Sequence, residues 1–174
     1  AANNYRGSKN IKFSVGRYGN VAGSRGSVIP FFLNHKNKGF LPITDKRMTR
    51  FTITLDQSVE FIFFCLKKMW GGEVFVPKIP SYKILDLAKA ISPKSRIKFI
   101  GIRPGEKIHE MLVSHNESTL IYEQKNSFTI YPQGSTNNKK IGKKIKLEFI
   151  YTSNLKKCLN KNKINHLIKK SKVL

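Results

Sequence analysis

The sequence has 174 residues, with 33 Lys plus Arg against 10 Asp plus Glu, a formal charge of +23 and 40% apolar positions. A chain of this size and apolar content can bury the core of one domain, or of a large piece of one, which excludes a disordered tail. The two cysteines, Cys65 and Cys158, are too few and too far apart for a disulfide framework or a cysteine zinc site, and the longest apolar stretch, Phe61 to Leu66, is too short to span a bilayer.

Residues 1 to 10, AANNYRGSKN, lack an initiator Met and the layout of a signal peptide, so the chain is expected to begin inside a longer protein. Over residues 11 to 18, Ile11, Phe13 and Val15 alternate with Lys12 and Ser14, which predicts a strand. A glycine-rich bend follows with Gly19, Gly23 and Gly26. Ser27 is placed to cap a short helix, VIPFFLNH, whose Pro30 is tolerable in a first turn. GFLPITD reads as a short strand entering a turn. Thr54 to Gln57 matches a capping box, followed by a helix with Val59, Ile62, Phe63, Leu66, Met69 and Trp70 as its inward stripe and Gly71-Gly72 as its end.

EVFVP is the next predicted strand. The helix ILDLAKAI carries Ile84, Leu87, Ala88 and Ile91 on one face and stops at Pro93. IKFIGI is a further strand, and RPGEKIHEMLVS reads as a loop entering a helix near Glu106 with Ile108, Met111 and Leu112 inward. TLIYE and SFTIYP are two more strands. Beyond Pro132 the composition turns polar, with EFIYTSN and LIKK suggesting a last strand and helix. Helices and strands alternate, which predicts an α/β class with a parallel sheet.

The charge invites a nucleic-acid reading. However, 26 of the basic residues are Lys and 7 are Arg, and the lysine-rich stretch 139 to 174 holds no Arg and no alternation with aromatics. A solvated lysine surface accounts for it better than a nucleic-acid face. His35, His109, His115 and His166 lack the spacing of a helical zinc motif, and no serine sits in a nucleophile elbow. Cys65 and Cys158 stand in amphipathic helical contexts as small apolar fillers.

A strand-to-helix glycine bend can cradle an anion with backbone N–H groups, although the spacing here matches neither G-x-G-x-x-G nor the Walker pattern. Arg50 stands after a turn and Arg103 at a strand end before Pro-Gly, at the mouths of elements where open α/β sheets bind ligands. A guanidinium fork suits a diphosphate because it is planar, always charged and bonds two oxygens at once. The competing reading for each arginine is a surface ion pair with Asp45 or Glu106. From the residues alone, the expectation is an anion site built from Asn20, Arg50 and Arg103.

Four stretches in this order, RYGNVAGSRGSVIPFF, LPITDKRMTRFTITL, GGEVFVPKIPS and IGIRPGEKIHEML, closely resemble the C-terminal half of the short inverting UDP-N-acetylglucosamine 4,6-dehydratases. Those are nucleotide-sugar enzymes of the extended short-chain dehydrogenase/reductase superfamily. The ends are similar more loosely: AANNYRGS resembles the end of the helix carrying the catalytic Tyr and Lys, and SFTIYPQ and EFIYTSN resemble the last segments. The resemblance implies an α/β fold, the C-terminal part of a Rossmann-like extended short-chain dehydrogenase/reductase with its substrate-binding subdomain. It assigns residues 1–132 to that part and 133–174 to a basic C-terminal segment, loop then strand and helix.

The resemblance implies UDP-N-acetylglucosamine as substrate, with Asn20, Val28, Arg50, Arg103 and Glu106 around it, the two arginines on the UDP moiety. Tyr18, Asn20 and Val21 are expected near the nicotinamide of NADP, which an N-terminal Rossmann half missing from this chain would bind. In that family hydride leaves sugar C4, water leaves across C5 and C6, and the hydride returns to C6 with inversion at C5, for pseudaminic-acid-type sugars of flagellin or surface polysaccharide. The expected setting is cytoplasmic, without membrane or nucleic acid, as a homo-oligomer at full length. The glycine fingerprint of that family does not occur in these 174 residues; a Y-x-x-x-K spacing, Tyr5 to Lys9, occurs only in the stretch that resembles the end of the catalytic helix, and an Asp-Lys pair, Asp45-Lys46, only in the ITDKRMTRF stretch, neither at the family's catalytic positions, so the chain alone is expected to be inactive. Two further departures are Gly16, where the family usually has Val, and Thr52, where it commonly has Trp.

Overall fold

A computed structural model describes residues 11–134, 140–145, 148–154 and 158–171. The resemblance drawn for residues 1 to 8 therefore lies outside the described residues. In chain order the elements are β1 (Val15–Gly16), β2 (Asn20–Val21), α1 (Val28–His35), β3 (Phe40–Ile43), β4 (Thr49–Ile53), α2 (Leu55–Lys68), β5 (Val74–Pro77), β6 (Ser81–Lys83), α3 (Ile84–Ile91), β7 (Arg96–Phe99), β8 (Met111–Val113), β9 (Ile121–Glu123), β10 (Ser127–Ile130), β11 (Lys143–Lys144), β12 (Tyr151–Thr152) and α4 (Lys161–Lys170). They fall into two compact units, one within Ala1–Tyr18, Gln57–Lys78 and Met111–Tyr151, the other comprising Gly19–Asp56, Ile79–Glu110 and Thr152–Leu174.

The first unit is built on a sheet of order β1-β5-β10-β9-β11, in which only β1 and β5 run parallel. β9 and β10 form a hairpin closed by the Gln124 N–H donating to the Ser127 carbonyl at 2.8 Å. Glu73, fully buried just before β5, accepts from the Trp70 and Gly71 N–H groups and from the Ser14 hydroxyl. Buried carboxylates persist only when so bonded, and this one fixes the turn from α2 into β5. Burial among Phe61, Phe75 and their neighbours pushes the Cys65 thiol up to about 11, which suits the expected apolar filler.

Within this unit the inward face of α2 differs from the expected stripe. Ser58, Phe61 and Cys65 are buried, while Val59, Ile62, Phe63 and Leu66 are 40 to 59% exposed. The helix is apolar on more than one face, so three- and four-residue spacing fits two stripes, and contact with Phe75 of β5 selects the one containing Phe61. The strand predicted over residues 11 to 18 shortens to β1, with Val15 42% exposed.

The second unit carries two small sheets, β2-β4-β6 and β3-β7, with β2 parallel to β4, β3 parallel to β7, and β6 antiparallel to β4. Among the described residues parallel pairs (β1-β5, β2-β4, β3-β7) stand beside antiparallel ones, and the single parallel sheet of the expectation becomes mixed sheets. β4 and β6 were not anticipated, because TRFTI buries four of its five residues and shows no alternation. Leu41, Ile43, Phe32, Leu87, Ala88 and Ile164 are almost entirely buried in one cluster, where α1 and α3 pack over β3 and α4 packs against α3.

The helix VIPFFLNH forms as expected, but the Ser27 hydroxyl does not cap it; its Oγ is buried without a hydrogen bond among the described residues. The predicted helix starting near Glu106 is absent: residues 106–110 are irregular and Met111–Val113 is strand β8. The reason lies in where its polar groups go. The Ile108 carbonyl accepts from the Thr49 N–H, and the Glu110 carboxylate accepts from the Phe51 N–H, so these groups are committed across to β4.

Candidate functional site

The site is assembled at the ends of short strands in the second unit. Gly19 permits it, since a Cβ there would lie 2.4 Å from the Phe51 Cβ; only glycine lets β2 lie this close beside β4. β2 then presents Asn20. Gly26, with φ +77, turns the chain into α1, which presents Val28 and Phe31.

Before β4, the Asp45 carboxylate accepts from the Arg47 backbone N–H at 2.7 Å and from its guanidinium at 2.8 and 3.0 Å. Those hydrogen bonds hold the Asp45 carboxyl down at about 2. The pair closes the turn that delivers Met48, Thr49 and Arg50. Asp45 is therefore the partner of Arg47, not of Arg50.

Arg50 is held on many sides. One Nη donates to the Thr49 carbonyl at 2.7 Å and to the Ile108 carbonyl at 3.1 Å, and the other reaches Met48 Sδ at 3.1 Å. Its carboxylate neighbours are Glu110 at 3.6 Å and Glu106 at 4.0 Å, and its side chain is 12% exposed. Burial pushes the Glu110 carboxyl up, opposed by the Phe51 N–H and by Arg50. Arg103 is exposed, and the Glu106 carboxylate accepts its backbone N–H at 3.3 Å, tying the Pro-Gly loop together.

Asn20, Val28, Arg50, Arg103 and Glu106 line one cleft of about 260 Å³, together with Phe31, Met48 and Ile100. Five residues chosen from the sequence are thus brought together. The remaining two are placed elsewhere: Tyr18 packs edge-on against Phe61 in the first unit, and Val21 lines a smaller cavity of about 140 Å³ with Gly23 and Ser24. Two guanidiniums, one amide and an apolar wall suit a ligand with an anionic part and a flat or apolar part. The sequence reading missed Glu110 because it was assigned to a helix, and missed Met48 and Phe31 because, although they lie in the quoted stretches, apolar side chains there read as core.

A family model described as polysaccharide biosynthesis protein matches residues 1–132. The chain belongs to the polysaccharide biosynthesis protein family. The UDP-N-acetylglucosamine 4,6-dehydratase (inverting) of Campylobacter jejuni serotype O:2 is 54% identical to this member over 134 residues, covering 76% of this chain and 40% of that protein. The UDP-glucose 4-epimerase of Rickettsia bellii is 40% identical over 166 residues, 90% of this chain and 49% of that protein. The X-ray structure of Pen from Bacillus thuringiensis superposes with a TM-score of 0.84 at 32% identity, covering 97% of this chain and 52% of that one.

The chain therefore spans two fifths to about half of the relatives it matches. Its fold is α/β, the C-terminal part of a Rossmann-like extended short-chain dehydrogenase/reductase fold. Among the described residues no helix is long and apolar enough to cross a membrane.

Proposed function

We propose that this chain is the substrate-binding portion of a nucleotide-sugar dehydratase that converts UDP-N-acetylglucosamine to a UDP-4-keto-6-deoxy sugar, inverting at C5, for pseudaminic-acid or other surface polysaccharide synthesis. The observation that carries the reading is the meeting of Asn20, Arg50 and Arg103 at one cleft. Exposed Arg103 supplies a fork for a diphosphate, and Arg50 supplies fixed positive charge from the wall. Residues 1–132 serve the substrate-binding part, and 133–174 form the basic C-terminal segment. At full length the enzyme is a cytoplasmic homo-oligomer.

NADP would take and return the hydride, but the described residues do not form its cradle. Gly19, the glycine nearest Asn20, is occupied by Phe51 where a dinucleotide site would need open backbone, and no glycine fingerprint occurs in the sequence. Tyr18, Asn20 and Val21 would at most border it. The chain's own residues bind and orient the sugar nucleotide, and the chain alone is inactive.

A second reading, epimerisation of a UDP-sugar, is favoured by the Rickettsia relative, which matches a larger share of this chain. Both share the diphosphate site. A basic nucleic-acid-binding protein is the other class. The test is binding of UDP-N-acetylglucosamine and of duplex DNA at two salt concentrations. The proposal expects a thermal shift with the UDP-sugar and only weak DNA affinity that collapses with salt; salt-resistant DNA binding without a UDP-sugar effect contradicts it.

A further inference from the structure

The wall that aims Arg50 is held from behind by a residue beyond the stretch matched by the family model. Ser153 is fully buried in the second unit. Its Oγ accepts from the Glu110 N–H at 2.9 Å, donates to the Thr49 carbonyl at 3.1 Å and lies 2.7 Å from Thr49 Oγ1. Its own N–H donates to the Glu110 carbonyl at 2.8 Å. Thr49 Oγ1 is in turn 2.8 Å from His109 Nδ1. One side chain thereby ties the first residue of β4 to the irregular segment that ends at Glu110.

Those same two segments hold the guanidinium. The Thr49 and Ile108 carbonyls accept from Arg50, and the Glu110 carboxylate pairs with it. The Thr49 carbonyl thus accepts from Ser153 on one side and from Arg50 on the other. A space-filling residue would need none of these bonds, whereas removal of the hydroxyl leaves the Glu110 N–H without its acceptor and frees the two segments to move apart. We propose that Ser153 is a positioning residue, which acts through Thr49 and Glu110 to hold Arg50 at the cleft. The proposal rests on the cleft being the UDP-sugar site.

The experiment titrates UDP into the full chain by calorimetry for wild type, Ser153→Ala, Ser153→Thr and Arg50→Lys. Alongside it, melting temperatures are taken and the arginine Nε–H signals are recorded by NMR, with the Arg50 signal identified by its loss in Arg50→Lys. The expected result is UDP binding weakened roughly 5- to 10-fold in folded Ser153→Ala and within about threefold of wild type in Ser153→Thr. The Arg50 signal, sharp in wild type, shifts or broadens in Ser153→Ala. Unchanged UDP affinity with an unmoved Arg50 signal in folded Ser153→Ala overturns the proposal. Should that variant not fold, Ser153→Cys, similar in size and a poor hydrogen-bonder, replaces it with the same two outcomes. If wild type itself fails to bind UDP, the reading of the cleft falls, and the Arg50 signal alone then decides: an unmoved signal overturns the role of Ser153, and a moved one upholds it.

Discussion

Arg50 and Arg103 are different instruments although both are arginines at the same cleft. Arg50 spends its donors on Thr49, Ile108 and Met48 and stands between Glu106 and Glu110, so it offers a fixed field. Arg103 is exposed, and in the proposed function it is the fork that meets the diphosphate. In an active full-length enzyme, Arg103→Ala is expected to raise the KM for the UDP-sugar about tenfold with little change in NADP affinity; steady-state kinetics against both ligands check it.

Glu110 gives a pH signature at the same scale. Its carboxyl titrates above the ordinary value of 4.5 in the folded chain because burial disfavours the charged form. The folded state therefore binds more protons than the unfolded one between the two values. The cost of ionising Glu110 is absent below 4.5 and fully present above the raised value, so stability falls as pH rises through that window. Glu110→Gln keeps an oxygen for the Phe51 N–H and is expected to flatten that fall, as measured by urea unfolding at a series of pH values. A fall as steep as in wild type would show that Glu110 is not the group responsible.

At the scale of elements, two glycines beside strands behave oppositely. Gly19 faces the Phe51 Cβ and backbone, so Gly19→Ala forces β2 away from β4 and is expected to cost about 1 to 3 kcal/mol in thermal unfolding. Gly16 has only ordinary contacts available to a Cβ, from Ile62, Phe61 and Cys65, and no positive φ. Gly16→Ala is expected to stabilise by roughly 0.5 kcal/mol, through lower backbone entropy in the unfolded chain.

These elements also mark what a sequence can disclose. α3 was legible because it has one apolar stripe that stops at Pro93, α1 because an apolar run follows a glycine bend, and β5, β9 and β10 because short apolar runs stand between turns. The arginines were legible from their places beside turns. The α2 face was not, since Phe61 to Leu66 is apolar all round and only contact with Phe75 decides it. Nor was the segment at Glu106 to Glu110, whose helical spacing is overridden by hydrogen bonds to residues almost sixty positions away.

At the scale of the molecule, the first unit leaves Val59, Ile62, Phe63 and Leu66 of α2 exposed. An apolar patch of that kind drives association in water. The isolated chain is expected to run above its monomer mass in size-exclusion chromatography with light scattering. Phe63→Lys combined with Leu66→Lys is expected to shift it toward monomer without lowering its melting temperature, because neither side chain is in the core. In the second unit the C-terminal segment packs inward through Ile164, Leu167 and Ile168 while its lysines face water. The positive charge of α4 therefore lies on its water-facing side.

The most direct test of the central claim is an amide and side-chain NMR titration of the chain with UDP-N-acetylglucosamine. Saturable shifts concentrated at Asn20, Val28, Arg50 and Arg103 are the predicted result. Shifts confined to the lysines of α4, or none at ligand concentrations in the millimolar range, would contradict it.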